Sequence, residues 1–265
     1  MNLKQYLGLF ACLLISTNSL YAHDFWLEAK PFYSKLGDNV DIAIFVGEDM
    51  FGESLPNIPA GYSDFSYFNQ GKKENVLGEM ARYPAGFIQA AEPGVYNIGY
   101  RSSENVVSLA GEKFTTYLKK EGLDKIIALR EKNNQTADKA REIYSRCVKT
   151  LAKVGEKTQV DYSRENFAYT LEITPLENPY QLKTGDSLAI KVTYLGKPLE
   201  NALVTSFTKE KPWDKQQSRT DHQGISKVKL NQSGKWLIKT VEMIPSKRES
   251  INWESFWASL TFELK

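Results

Sequence analysis

In this 265-residue chain the scarcest side chains with chemical reach are two histidines and two cysteines. His23 follows Leu20-Tyr21-Ala22, where Ala22 is the small residue a signal peptidase needs at its −1 position. Cleavage there makes His23 the first residue of the mature chain. Its α-amine and imidazole Nδ1 then form a ready chelate. The amine, with a pKa of about 7.7–8.0, yields its proton to a metal near neutral pH. Imidazole suits nickel, copper and zinc, and Asp24 adds a hard oxygen. The plainer alternative is that His23 only starts a strand beside Phe25 and Trp26. His222 lies in Thr220-Asp221-His222-Gln223-Gly224, a β-turn in which Gly224 takes φ > 0. As an exposed turn residue, it joins His23 only if the two ends of the fold meet. Cys147 falls on an apolar stripe and reads as a small buried core residue. Trp213, beside Pro212 in a lysine-rich loop, is the tryptophan expected in solvent, where it can anchor a partner.

Most catalytic templates are missing. The sequence has no glycine-rich phosphate loop, zinc-protease helix or Gly-x-Ser-x-Gly elbow, and no serine with a local triad signature. Paired carboxylates select nothing in a chain with 32 of them. The expectation is a protein that is not an enzyme. Basic and acidic side chains nearly balance, 34 against 32, so nothing pulls the chain toward nucleic acid.

The elements around these residues read as β structure. Lys4 and the apolar run from Leu7 to Ile15 precede the cleavage site. This is a secretory leader over residues 1–22, too short to span a bilayer. Gly37-Asp38 precedes Val40, Ile42, Ile44 and Val46 in strict alternation. Gly185-Asp186 precedes Leu188, Ile190, Val192 and Tyr194 in the same phase. Pro93-Gly94 and Ser233-Gly234 open a second matching pair of strands. Further strands are expected at 24–29, 64–68, 85–90, 168–173, 202–208, 225–230 and 256–264. The spacing therefore predicts a mainly β protein with two immunoglobulin-like β-sandwich domains, 23–109 and 157–265, flanking a helical segment at 110–156. Within that segment, helices are expected at 111–121 and 123–132, punctuated by Gly122. A third is expected from Ala140, where Ile143, Tyr144, Cys147, Val148, Leu151 and Ala152 recur at helical spacing, with Asp138 as cap and Gly155 as stop. The segment carries 11 basic and 7 acidic residues, the charge of a solvated helical face.

Several segments together resemble one bacterial family, the domain of unknown function 4198, formerly described as NikM-like and grouped with periplasmic components of cobalt and nickel transport. They include Ala22-His23-Asp24-Phe25-Trp26-Leu27-Glu28, Glu112-Lys113-Phe114 with Tyr117-Leu118 and Glu121-Gly122-Leu123, and Tyr144-Ser145-Arg146. They continue with Asn178-Pro179-Tyr180, Gly196-Lys197-Pro198-Leu199, Thr220-Asp221 with Gly224, and the run from Trp253 to Phe262. The resemblance implies that His23 and Asp24 open the mature chain. Members of the family often carry His-Met where this chain has Glu242-Met243, so Glu242 would replace a nitrogen ligand with an oxygen.

Two functions from different classes follow. The first is an exported, periplasmic or secreted protein that binds nickel or cobalt, with copper ranked behind them. It would use His23, Asp24, His222 and Glu242 and serve a membrane transporter or receptor for metal uptake without being membrane-embedded. The second is a non-catalytic β-sandwich interaction module that docks on a membrane protein or envelope polymer through Trp213 and the basic middle.

Overall fold

The computed structural model describes residues 24–265, so the expected leader and His23 lie outside the described residues. In chain order the elements of the first half are β1 (Asp24–Lys30), β2 (Tyr33–Ser34), β3 (Asn39–Glu48), β4 (Phe51–Leu55), β5 (Tyr62–Asn69), β6 (Lys72–Asn75), β7 (Gly86–Gln89), β8 (Gly94–Ser102) and β9 (Asn105–Leu109). Two helices, α1 (Gly111–Lys120) and α2 (Asp124–Lys132), precede β10 (Ala140–Val154) and β11 (Val160–Asp161). The second half contains β12 (Leu171–Pro175), β13 (Ser187–Tyr194), β14 (Lys197–Pro198), β15 (Leu203–Thr208), β16 (Lys211–Arg219), β17 (Ile225–Lys229), β18 (Gly234–Pro245) and β19 (Trp253–Leu264).

The two alternating runs after Gly-Asp become equivalent strands. β3 is the middle of a small sheet with β1, β4 and β7. β13 is the middle of another with β12, β14 and β17. Gly37 and Gly185 take φ of 94° and 99°, a conformation that L side chains resist, which is why each turn needs glycine. Between the small sheets runs one 11-stranded sheet whose main path is β16-β15-β18-β19-β10-β8-β5-β6. Its order shows how the halves join. β6-β5-β8-β10 from the first half and β16-β15-β18-β19 from the second meet at the parallel pair β10–β19, with Glu142 opposite Trp253 and Thr150 opposite Thr261. Two like halves meeting through parallel strands are related by a pseudo-two-fold along the strand direction, which exchanges the faces of the sheet. The first small sheet accordingly packs on one face through Phe25, Leu27, Val40, Ile42 and Ile44, against Tyr96, Ile98, Val148 and Ala152. The second packs on the opposite face through Ile173, Leu188, Ile190 and Val192, against Trp236, Ile238, Leu260 and Phe262.

The third predicted helix is a strand. Ile143/Tyr144, Cys147/Val148 and Leu151/Ala152 are adjacent pairs, one member for each face of β10, and they mimic a helical stripe because both faces of a central strand are covered. Pairing with β19 on one side and with β8 and β9 on the other overrides the helical spacing. Of the basic residues expected on a solvated face there, Arg141 is exposed but Lys149 is buried and ion-paired to Glu172 at 2.9 Å. Burial lowers the Lys149 pKa, and the Glu172 charge opposes that shift. Cys147 is buried as expected, but in a strand. The helical segment is therefore α1 and α2. They close a separate apolar cluster in which Phe114, Leu118 and Ile126 meet Val241, Met243, Trp253 and Trp257.

Candidate functional site

Along β1 the side chains alternate between two buried surroundings. Phe25 and Leu27 enter the core of the first sandwich, while Trp26 packs with Phe45, Met50, Phe207 and Leu237. Asp24 and Glu28 share the Trp26 side. The β1 carbonyls are not left bare: Ser259 Oγ and Thr261 Oγ1 of β19 donate to Phe25 O and Leu27 O at 2.9 and 2.6 Å. β1 is therefore held against the second half of the protein, and Asp24 lies in that junction.

Asp24 Oδ1 receives the Lys239 ammonium at 2.5 Å, and its Oδ2 accepts the Asp49 amide at 3.1 Å. Lys239 also reaches Glu121 Oε1 at 3.4 Å. Asp24 and Glu121 are each 6% exposed and Lys239 is 9% exposed. Each has a local reason for its position. Lys239 shares its face of β18 with Leu237, Val241 and Met243. Glu121 ends α1, directly before Gly122, which turns the chain into α2 at φ 65°. Burial raises the Glu121 pKa; Lys239 pulls it down and the Asp24 charge pushes it up. For Lys239, burial pushes downward, but Glu121 and Asp24 together outweigh it and the pKa rises. Two buried carboxyls thus share one ammonium.

Two further carboxyls are buried elsewhere in the fold. Glu28 accepts from Trp26 Nε1 at 3.0 Å and pairs with Lys209 and Lys235 at 3.4 and 3.5 Å. Glu142 Oε1 accepts from Tyr117 Oη at 3.1 Å and from Ser255 Oγ, while its Oε2 has no partner. Burial pushes the Glu142 pKa up to about 7, against the Ser255 and Tyr117 hydrogen bonds and the Arg146 charge.

A family model described as a domain of unknown function, DUF4198, matches residues 20–243, a span that includes Asp24, Glu121 and Lys239. The chain belongs to this family. No curated protein matches it. Solved structures with some likeness to this DUF4198 chain include the D0-D1 domain of intimin, at 13% identity and a TM-score of 0.22, covering 90% of this chain and 97% of that one. The D00-D0 domain of intimin stands at 8% identity and a TM-score of 0.19, covering 90% and 99%. Dimeric latent PorU from Porphyromonas gingivalis stands at 9% and 0.17, covering 91% of this chain and 20% of its own.

Of the residues singled out from the sequence of this DUF4198 protein, His23 lies outside the described residues. Asp24 is in the cluster just described. Glu242 is buried and paired with Lys125 of α2; it lies on the face of β18 opposite Lys239, because the two are three positions apart in a strand. His222 is exposed in the expected turn, closed by Gly224 N donating to Asp221 O at 2.9 Å, with Gly224 at φ 74°. Glu242 and His222 are therefore not brought to Asp24. Among the described residues, no group of three or more His, Cys, Asp or Glu side chains is gathered closely enough to hold a metal. Trp213 is 77% exposed as expected, though it lies on β16 and not in a loop. Glu121 and Lys239 were missed. A lysine at an inward position of an alternating apolar strand is the signal that could have found them.

Proposed function

We propose that this DUF4198 protein is exported, loses a leader ending at Ala22, and binds nickel or cobalt at the new N-terminus as a non-catalytic accessory to metal uptake, in service of a membrane transporter. The supporting observation is the buried cluster in which Asp24 and Glu121 share the one Lys239 ammonium, with Asp24 next in sequence to the residue that follows the cleavage point. A divalent cation held by the His23 α-amine and imidazole would have its charge partly offset by the Asp24 carboxyl. Mixed nitrogen and oxygen donors suit both metals. On this reading His23 and Asp24 are the donors. Calorimetric titration of Ni²⁺ into protein whose mass confirms a start at His23, beside a form with one extra residue ahead of it, tests this. One-to-one binding that is lost in the extended form supports it; equal binding in both forms, or none in either, refutes it.

One observation favours the interaction module instead. β16 is an edge strand of the long sheet, and it displays Trp213 to solvent beside Lys211 and Lys215. That module predicts no nickel affinity and co-sedimentation with purified cell-wall sacculi that Trp213→Ala abolishes.

A further inference from the structure

On β13, Leu188, Ile190 and Val192 turn into the core of the second half, and Val228 of β17 does the same. Alternation therefore sends Lys191, Lys227 and Lys229 to the outer face of that small sheet. Strand register gathers them. Lys227 stands opposite Ala189 and Lys229 opposite Ser187, while Lys191 stands opposite Ile225 and diagonal to Lys227. Lys183 adds a fourth ammonium from the turn that opens β13. That turn closes with Asp186 N donating to Lys183 O at 3.0 Å, and Lys229 Nζ donates to Gly185 O within it. Lys183, Lys227 and Lys229 are exposed and Lys191 is half-buried.

Like charges on neighbouring strands repel, so the grouping costs stability unless something outside the chain answers it. Among the described residues none of the four lysines pairs with a carboxylate. Two acids stand at the rim, and each accepts a backbone amide: Glu177 Oε1 from Ala189 at 3.2 Å and Asp186 Oδ2 from Lys183 at 2.9 Å. The four lysines outnumber them. We propose that this face docks peripherally on an anionic phospholipid surface. Three features select lipid among polyanions. The charges are all lysine, compact ammoniums suited to a mobile array of phosphates and lacking the arginine fork that grips one ligand bidentately. Their neighbours on the face are Ser187, Ala189 and Ile225, with no aromatic ring for a base or sugar to stack on. A face centred on lysine is also the reverse of a protein interface core, where lysine is depleted. Leu176, whose amide donates to Ala189 O at 2.9 Å, is 39% exposed and supplies an aliphatic side chain that can reach the acyl boundary. The face is distinct from the Asp24 cluster and does not depend on any metal there.

The test is co-sedimentation of the protein with vesicles of phosphatidylglycerol and phosphatidylcholine in equal parts, beside vesicles of phosphatidylcholine alone. Two variants are compared with the parent. Lys191→Gln/Lys227→Gln removes two charges from the face, and Lys72→Gln/Lys247→Gln removes two exposed charges elsewhere, on β6 and in the β18–β19 turn. Thermal melting confirms that both fold. The expected result is binding to the anionic vesicles at low ionic strength, released by high salt, with little binding to phosphatidylcholine. Substitution on the face should weaken it about tenfold or more, while the Lys72/Lys247 variant binds as the parent does. No binding to anionic vesicles, equal binding to phosphatidylcholine, equal weakening in the two variants, or full retention by the Lys191/Lys227 variant each overturns the proposal. So does a preference for soluble polyglutamate over the vesicles at equal anionic charge, which would point to an acidic protein instead.

Discussion

Replacing Glu142 with glutamine should remove a specific pH dependence from folding. Glu142 is 2% exposed on β10, with two hydroxyl donors on Oε1 and none on Oε2. Its pKa rises from 4.5 to about 7 on folding, so between those values the folded protein keeps a proton that the unfolded chain releases. The Glu142 contribution to stability is therefore greatest below about pH 4.5, falls as pH rises, and levels off above about pH 7. At ~1.4 kcal/mol per pKa unit, the total loss is roughly 3 kcal/mol. Glutamine keeps the acceptor that Tyr117 and Ser255 use but places an unpartnered amide at the other position, costing ~1–3 kcal/mol at every pH. The difference in unfolding free energy between variant and parent should thus move by roughly 3 kcal/mol in the variant's favour from pH 4.5 to pH 8. Every other titrating group cancels in that difference. Urea denaturation of both proteins across the range reads it directly. Parallel curves would show that Glu142 is ionised in the folded protein, and the burial reasoning would fail.

Four further outcomes follow from the same packing. Lys239→Met strands Asp24 and Glu121 as unpaired buried acids and should cost ~3–5 kcal/mol at pH 7 in urea denaturation. Asp24→Asn should cost less, because the Asp49 amide keeps an acceptor and Lys239 keeps Glu121; the reverse ranking refutes the shared-ammonium picture. Burial pushes the Cys147 thiol up to about 11, so a disulfide reagent at pH 8 should label it only as the protein unfolds, as read by the absorbance of the released thiolate. Gly122→Ala forces a Cβ to within 2.7 Å of Leu203 at φ 65° and should lower the melting temperature, with a destabilisation of ~1–3 kcal/mol; an unchanged melt refutes the tight turn.

What the sequence revealed and what it hid divide along the range of the interactions. β3 and β13 were legible because a Gly-Asp turn and a period-two pattern are local. α1 and α2 were legible because Gly122 punctuates them. β10 was misread because a strand buried on both faces loses its alternation, and only its partner β19, more than 100 residues away, decides between the two structures. The joining of the halves through that pair was hidden for the same reason: register between distant strands leaves no local mark.

The functional residues divide in the same way. The first strand announced Asp24 by its neighbour His23, yet a chelate drawn from neighbours in sequence had no means of finding Glu121 at a helix end or Lys239 on β18. Within β18, though, Leu237, Lys239, Val241 and Met243 occupy one face, and a lysine in that series must either break the strand or meet buried acids. Glu28, set between Leu27 and Ala29, makes the complementary demand from β1 and is met by Lys209 and Lys235. Inward charges on two apolar strands thus imply that the strands face each other, which they do across Trp26. Asp24, which helps secure β1 to the second half, is next in sequence to His23, so the anchoring of the N-terminal strand and the proposed cation site draw on one cluster. Asp24→Asn should therefore loosen the anchor and weaken the metal site together.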